Sequence, residues 1–430
     1  MYDVGKKLPK ELNKYCKSEC KLFLDFLKTK EYIKSITPNR ERLASISLKV
    51  FFANSVNPIL SGRNSFGVTL RSSVYSAGEI YNGTKLKESA SYTYTLWLFE
   101  YLEYSGYGVL VKGGKIYEKS KGFNKVKSWI LKESTSSYFE FNRQSREKLY
   151  NLYLKISKKP EDNVLFLRNK DKVNITFKTN KASREKRDKL INFNKHSISY
   201  EIGSHDKDVT YDVQLRRIFN MNFDKGGRHY CGTVQNLSKS ERKKVTINGN
   251  PCSVYDFKSF EPSIAYTLNG EVMDGDPYQV YIEGYDDKVL REVGKMILTR
   301  MLYADSRSTV LHSVNSDIQS KFNLTDLVCE GKIPEKRIPV GKIIDEMMIK
   351  HENISNYFYN KGDNDLQYIG GEIMDYILEY FMQNYGKLVI PVFDEIIVES
   401  EMDYVSIGVM EKAYNFVLGD ILNCNIVKEN

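Results

Sequence analysis

Cysteine is scarce in this chain: Cys16, Cys20, Cys231, Cys252, Cys329 and Cys424 are spread over 430 positions. There is no CxxC pair, and the five histidines complete no zinc pattern. That usage argues against a disulfide framework and a thiolate metal site, and predicts free thiols in a reducing cytoplasm. Proline is also sparse, at ten residues, and no Pro-rich or Gly/Ser-rich stretch marks a linker. No uninterrupted run of eighteen apolar residues occurs, so neither a membrane-spanning helix nor a membrane partner is expected. Met1 to Lys7 has no apolar stretch behind it, so no secretory leader is expected.

What is present suits a folded chain of two or three structural units: 41% hydrophobic and 28% charged residues. The net charge of +9 conceals an asymmetry. Residues 1–215 hold 40 Lys and Arg against 23 Asp and Glu, a balance of +17; residues 216–430 hold 24 against 32, a balance of −8. A basic half joined to an acidic half suggests a polyanion held by one and carboxylate chemistry in the other.

The first 60 residues read as helical, with Leu22, Phe23, Phe26 and Leu27 at helical spacing. Ser89–Tyr104 reads as a further helix, and the apolar runs around Gly113-Gly114 as a hairpin. Helix then hairpin outlines a winged helix, or an ordinary helix-plus-hairpin in a mixed domain. Lys155–Lys195 is strongly basic, fit to line a phosphate backbone or to be a solvated helix face.

From residue 245 the texture changes. Val245-Thr246-Ile247 and Cys252–Tyr255 read as strands around Asn248-Gly249-Asn250-Pro251, leading to Asp256. Helices are expected around 287–303, 340–358 and 366–384. Two apolar runs, 388–392 and 396–398, then enclose Phe393-Asp394-Glu395 as a hairpin with acids at its tip. If the strands before Asp256 and Asp394 are neighbours, the two carboxylates meet. Such a pair suits two Mg²⁺ ions, with Mn²⁺ as a substitute, clamping an in-line phosphoryl transfer. Arg291 and Lys295, four apart, share a helix face, and Tyr303 lies two to three turns further on. Two cations and an aromatic suit a nucleoside triphosphate.

Together these elements resemble the family A nucleic-acid polymerases, the group of bacterial DNA polymerase I and the single-subunit phage and mitochondrial RNA polymerases. Asp256-Phe257-Lys258-Ser259-Phe260-Glu261 resembles the first motif, D-Y-S-Q-I-E in the DNA enzymes. Arg291, Lys295 and Tyr303 have the spacing of the second, and Val392-Phe393-Asp394-Glu395 resembles V-H-D-E. Gly227-Arg228 and Gln235-Asn236-Leu237 resemble the segment that touches the primer–template, and Leu366-Gln367, with Glu372, resembles the Q-G-T-A-A-D helix. The five elements occur in the family's order and cover about residues 220–400. Departures are Phe393 for the His of V-H-D-E, Ala304 for the Gly after Tyr303, Ser263 for an Arg, and Gln367-Tyr368-Ile369 for Q-G-T.

The resemblance implies an α+β right-hand polymerase of divergent phage or plasmid type, working in the cytoplasm of a prokaryotic or phage-infected cell. Residues 1–215 would be a basic, thumb-like nucleic-acid-binding region, 216–275 and 386–430 a split palm, and 276–385 the fingers. Asp256 and Asp394 would bind metal, with Glu395 beside them. Arg291, Lys295, Tyr303 and Glu261 would bind the nucleotide, and Arg228, Gln235, Asn236 and Gln367 the primer–template. Glu261 stands where the DNA enzymes carry a Glu against the sugar and the RNA enzymes a Gly, which implies dNTPs as substrates. No D-x-E proofreading signature stands out in the N-terminal half. Three other readings stay open. One is an RNA polymerase or primase of the same fold. Another is a non-catalytic duplex-binding replication initiator. The third is a family B polymerase, because Asp256 to Ile264 also resembles D-x-x-S-L-Y-P-S-I. That last reading lacks the K-x3-N-S-x-Y-G element and leaves the Asp394 hairpin unexplained.

Overall fold

The computed structural model describes residues 9–429 except 61, 69–79, 82–83, 86–89, 113–114, 120–128, 135–136, 154–159, 161, 361–364 and 420–421. The chain is α+β and divides into two compact units. Unit 1 comprises residues 1–221, 230–252 and 398–400; unit 2 comprises 222–229, 253–397 and 401–430.

Unit 1 opens with α1 (Lys10–Thr29) and α2 (Pro38–Leu60), followed by β1 (Ser65–Gly67), β2 (Ile80–Tyr81), β3 (Thr84–Lys85) and α3 (Tyr92–Tyr104). Then come β4 (Gly108–Val111), β5 (Lys115–Lys119), β6 (Trp129–Ser134), β7 (Tyr138–Phe141) and α4 (Arg143–Tyr153). On α1, Leu12, Cys16, Phe23 and Leu27 recur at helical spacing and are buried, while Leu22 is turned out. They join Phe51, Phe52, Leu98, Leu102, Phe139 and Phe141 in one core. Cys16 and Cys20 are buried in that core, and all six cysteines are free thiols.

Among the described residues the strands flanking Gly113-Gly114 do not pair with each other as the expected hairpin. The glycines lie outside the described residues, and the strands pair elsewhere: β4 with β7 and β5 with β6, both antiparallel. β7 also pairs with β1, so a central strand 30 residues downstream outcompetes the local turn. By length and composition α2 is long and apolar enough to cross a membrane, a test that core helices also pass, because averaged hydropathy tolerates polar residues that break an uninterrupted run. Its Leu48, Phe51 and Phe52 nevertheless lie in the core.

The chain continues with β8 (Leu165–Arg168), β9 (Asn174–Ile175), α5 (Lys181–Ser197), β10 (Ile202–Ser204), β11 (Leu215–Asn220), β12 (Gly226–Cys231), α6 (Lys239–Arg242) and β13 (Val245–Ile247), all in unit 1 except Gly226–His229 of β12, which belong to unit 2. The sheet order is β12-β11-β8-β9, with β8 parallel to β11. The centre of the basic segment is α5, started by an Asn180–Ser183 capping box. It buries Leu190 and Phe193 and exposes Lys181, Arg184, Lys189 and Lys195; Lys155, Lys158 and Lys159 lie outside the described residues.

β14 (Asn250–Phe257) begins in unit 1, where the Asn248-Gly249 turn, both residues at positive φ, returns it along β13. Its second half lies in unit 2. There the helices are α7 (Phe260–Leu268), α8 (Asp287–Met301), α9 (Arg307–Lys321), α10 (Leu324–Cys329), α11 (Val340–Lys350), α12 (Leu366–Tyr385) and α13 (Asp403–Leu418). β15 (Val389–Val392), β16 (Glu395–Glu399) and β17 (Ile426–Glu429) complete the strands, with Val398 and Glu399 of β16 belonging to unit 1. β16 lies between β14 and β15. β17 runs antiparallel to β14, with Val254 opposite Glu429 and Asp256 opposite Val427.

Gly294 on α8 permits a close approach. A Cβ there would overlap the carbonyl oxygen of Tyr278 and stand 2.5 Å from Met347 Cε. Gly294→Ala is therefore expected to destabilise the protein by about 3 kcal/mol through overpacking against backbone. Thermal melting would register it, and an unchanged midpoint would show that the 278 loop yields without cost.

Candidate active site

The acids sit where two strands end side by side. Asp256 is the penultimate residue of β14, and Phe257 N–H donates to the Asp394 carbonyl at 3.2 Å. Asp394 occupies the two-residue turn between β15 and β16, and Phe393 before it takes φ 59°. A bulky side chain in the left-handed region is unusual and marks a turn fixed by its surroundings. Burial above all, then the charges of Asp256, Glu261 and Glu395, raise the Asp394 carboxyl to about 6 against a backbone hydrogen bond. A carboxylate whose charge is opposed in this way gains from a nearby cation. Glu395 follows on β16 and is buried.

The donor set is therefore two strand-end carboxylates with an acidic neighbour. Among the described residues no group of three or more His, Cys, Asp or Glu side chains is arranged to hold an ion. Two carboxylates fit a hard cation that keeps its remaining positions for water and phosphate oxygens, the usual habit of Mg²⁺. They do not make an all-protein cage.

The cations stand on α8. Arg291 and Lys295 are both exposed on its outer face. Arg291 Nε donates to Asp276 Oδ2 at 2.5 Å. The Arg291 guanidinium and the Lys295 ammonium both lie 5.6 Å from the ring centroid of Tyr278. Burial raises the Tyr278 hydroxyl, Ser259 hydrogen-bonds it, and the charges of Asp394 and Glu261 reach it. Tyr278 thus meets both cations at its ring and Ser259 at its hydroxyl.

The loop bearing Asp276 and Tyr278 is pinned from below. Lys350 Nζ donates to the Asp276 and Gln279 carbonyls at 2.6 and 2.9 Å. His351 Nε2 lies 2.8 Å from the Pro277 carbonyl and Nδ1 2.9 Å from Tyr266 Oη. A carbonyl only accepts, so Nε2 carries the proton and Nδ1 accepts from the tyrosine. Burial lowers the His351 pKa to about 4, which keeps the ring neutral and the pin intact at neutral pH.

A second cluster gathers around Glu261, in the first turn of α7. Arg228 Nη2 donates to Glu261 Oε1, and the guanidinium lies 5.9 Å from the Phe393 ring centroid. Tyr303, just past the end of α8, has its hydroxyl beside Glu261, Arg228 and Gln367; burial and the Glu261 charge raise it well above its ordinary value. His229, next to Arg228, is buried with Nε2 2.6 Å from Asp375 Oδ1 on α12.

The structure thus gathers Asp256, Asp394, Glu395, Glu261, Arg228, Tyr303 and Gln367 within unit 2, and holds Arg291 and Lys295 against the Tyr278 ring in the same unit. Gln235 and Asn236 lie in unit 1. There Gln235 Oε1 accepts from Cys231 N–H at 3.1 Å, and Asn236 Nδ2 donates to the Gly232 carbonyl at 3.4 Å. Sequence reasoning missed Asp276, Tyr278 and Lys258. Only the Asp276-Pro277-Tyr278 turn ahead of α8 offered a signal, an acid and an aromatic near two cations.

No family model matches the chain, and no curated protein does. Among solved structures it is similar to the POL domain of Pol1 from M. smegmatis in complex with DNA primer-template and dNTP. The likeness has a TM-score of 0.33 and 11% identity, and covers 90% of this chain and 65% of that one. The chain thus spans just under two thirds of that neighbour's length, and the TM-score is too low to place the fold.

Proposed function

We propose that the chain is a right-hand nucleotidyltransferase, a DNA-directed DNA polymerase that extends a primer. The observation that carries this is the strand pair that brings Asp256 and Asp394 side by side, with Arg291 and Lys295 held against the Tyr278 ring in the same unit. A nucleoside triphosphate laid along Tyr278 would meet cations at its phosphates and carboxylates at its reacting end. Residues 216–275 and 386–430 would act as palm, 276–385 as fingers, and the basic residues 1–215 as the duplex-holding region.

Asp256 and Asp394 would hold Mg²⁺, which when bound acidifies the attacking hydroxyl and screens the triphosphate. Arg291 and Lys295 neutralise the phosphates as charge moves onto the leaving pyrophosphate. Arg291 must first exchange Asp276 for phosphate, whereas Lys295 needs only to turn from the Tyr278 ring. Glu261, held by Arg228 and flanked by Tyr303, presents a fixed carboxylate to the sugar. Gln367, beside Tyr303, would contact the primer–template.

The test is extension of a labelled primer on a longer template with Mg²⁺ and either dNTPs or NTPs, beside an unprimed strand. Extension with dNTPs is expected. Glu261→Ala is expected to raise ribonucleotide incorporation relative to deoxynucleotide by about tenfold or more, on the scale of one sterically excluded group. Products from NTPs alone, or on the unprimed strand, would move the protein to an RNA polymerase or primase. Duplex binding without any product would favour a replication initiator.

A further inference from the structure

Lys258 is ion-paired with one member of the carboxylate pair, Asp256. It follows β14 by one residue, and its ammonium lies 2.6 Å from Asp256 Oδ2 and 2.6 Å from Glu429 Oε1. Both acids are largely buried, their side chains 15% and 12% exposed, while the lysine side chain is 36% exposed. The backbone beneath is fixed: Lys258 N–H donates to the Asn425 carbonyl at 2.8 Å, and β17 is zipped along β14. The ammonium can therefore change acids by side-chain rotation without moving a strand. Among the described residues Asp256 is ion-paired in this way and Asp394 is not.

We propose that Lys258 is the resting counter-cation of this site: it holds Asp256 until a divalent cation enters, and then withdraws onto Glu429. The exchange sets the site's affinity for the cation. The inference rests on the reading of Asp256 and Asp394 as a metal-binding pair. An ammonium in contact with a carboxylate oxygen and a divalent ion on the same carboxylate repel each other strongly at so short a range. Entry of the ion therefore requires the Lys258–Asp256 contact to break. Glu429 lowers the cost of that break, because the displaced ammonium keeps a carboxylate partner in place rather than losing both.

The two residues consequently act in opposite directions. Removing the ammonium leaves Asp256 open and tightens cation binding. Removing the charge of Glu429 leaves the ammonium committed to Asp256 and weakens cation binding. A merely structural role for the Lys258–Glu429 bridge would not split the two variants in sign.

The test reads binding without turnover. Mn²⁺ is titrated into the protein alone, with no nucleotide or nucleic acid, and free Mn²⁺ is counted by electron paramagnetic resonance. The wild type is expected to take up Mn²⁺ and Asp256→Asn to lose its tight uptake. Lys258→Met is expected to tighten binding about tenfold, and Glu429→Gln to weaken it several-fold. If both variants shift in the same direction, or neither shifts, while Asp256→Asn still abolishes uptake, the counter-cation role is wrong and the metal site stands. If the wild type takes up no more Mn²⁺ than Asp256→Asn, the metal site itself fails, and this inference with it. Should Lys258→Met not fold, Glu429→Gln decides alone, since unchanged or tighter binding in that variant overturns the proposal.

Discussion

Asp394→Asn is expected to abolish nucleotide transfer while leaving the protein at least as stable as before. The asparagine keeps the shape of the turn and can still accept from a backbone donor, but it brings no charge to a metal or a reacting phosphate. A loss of about 10³-fold in the transfer rate is the scale of removing one preorganised electrostatic group. Stability should move the other way. The Asp394 carboxyl titrates at about 6 in the folded protein because burial and neighbouring carboxylates oppose its charge, against about 3.9 when unfolded. A carboxyl raised on folding is no burden below its unfolded pKa and opposes folding increasingly as pH rises from about 4 to about 6. Metal-free wild type should therefore lose on the order of 2 kcal/mol from this group across that window, and Asp394→Asn should not. Paired thermal melts at pH 4.5 and 7.5, without divalent cation, check the sign. A variant less stable than the wild type at pH 7.5 would mean that Asp394 is already compensated.

Lys295→Ala should cost more activity than Arg291→Ala. Arg291 is already neutralised by Asp276 at 2.5 Å, so its gain on meeting a phosphate is reduced by the ion pair it gives up. Lys295 rests only against the Tyr278 ring among its described contacts. A charge-assisted contact contributes about 1.5–3 kcal/mol. Losing it in full predicts about a hundredfold fall in kcat/KM for the incoming nucleotide with Lys295→Ala. About tenfold is expected for Arg291→Ala, part of whose contribution Asp276 cancels. Steady-state kinetics against nucleotide concentration, at saturating primed template, separate the two. Equal effects would show that Asp276 releases Arg291 freely.

The legible part of the site is the part written in local patterns. Asp256 and Asp394 each close a short apolar run, but the neighbour of β14 is β16, which follows Asp394, and not β15, which leads to it. The four-residue spacing of Arg291 and Lys295 places them on one exposed face of α8. What escaped notice is long-range or unpatterned. β17 has only Ile426 and Val427 as apolar residues, and its pairing with β14 comes from the sheet edge rather than from its own sequence. His229 and Asp375 lie 146 residues apart, a separation that no motif spans. In the N-terminal half the Gly113-Gly114 signal misled, because β7 offers β4 a buried partner with Phe139 and Phe141 on it. Burial outweighs a turn preference there, since aromatic side chains in a core contribute more than any two-residue loop.

The pairing of β17 with β14 also bears on when the protein becomes competent. A ribosome that has released Asp256 from its exit tunnel must still supply the strand that flanks it, and the Lys258–Glu429 contact spans 171 residues. Such a non-local closure is slow to search and forms late. A nascent chain halted between residues 395 and 425 would carry Asp256, Asp394 and both α8 cations, yet lack the strand that pairs along Asp256. On the proposed reading, a chain without residues 426–429 would hold its aspartates and cations but leave Asp256 unsteadied, and transfer would wait on that pairing.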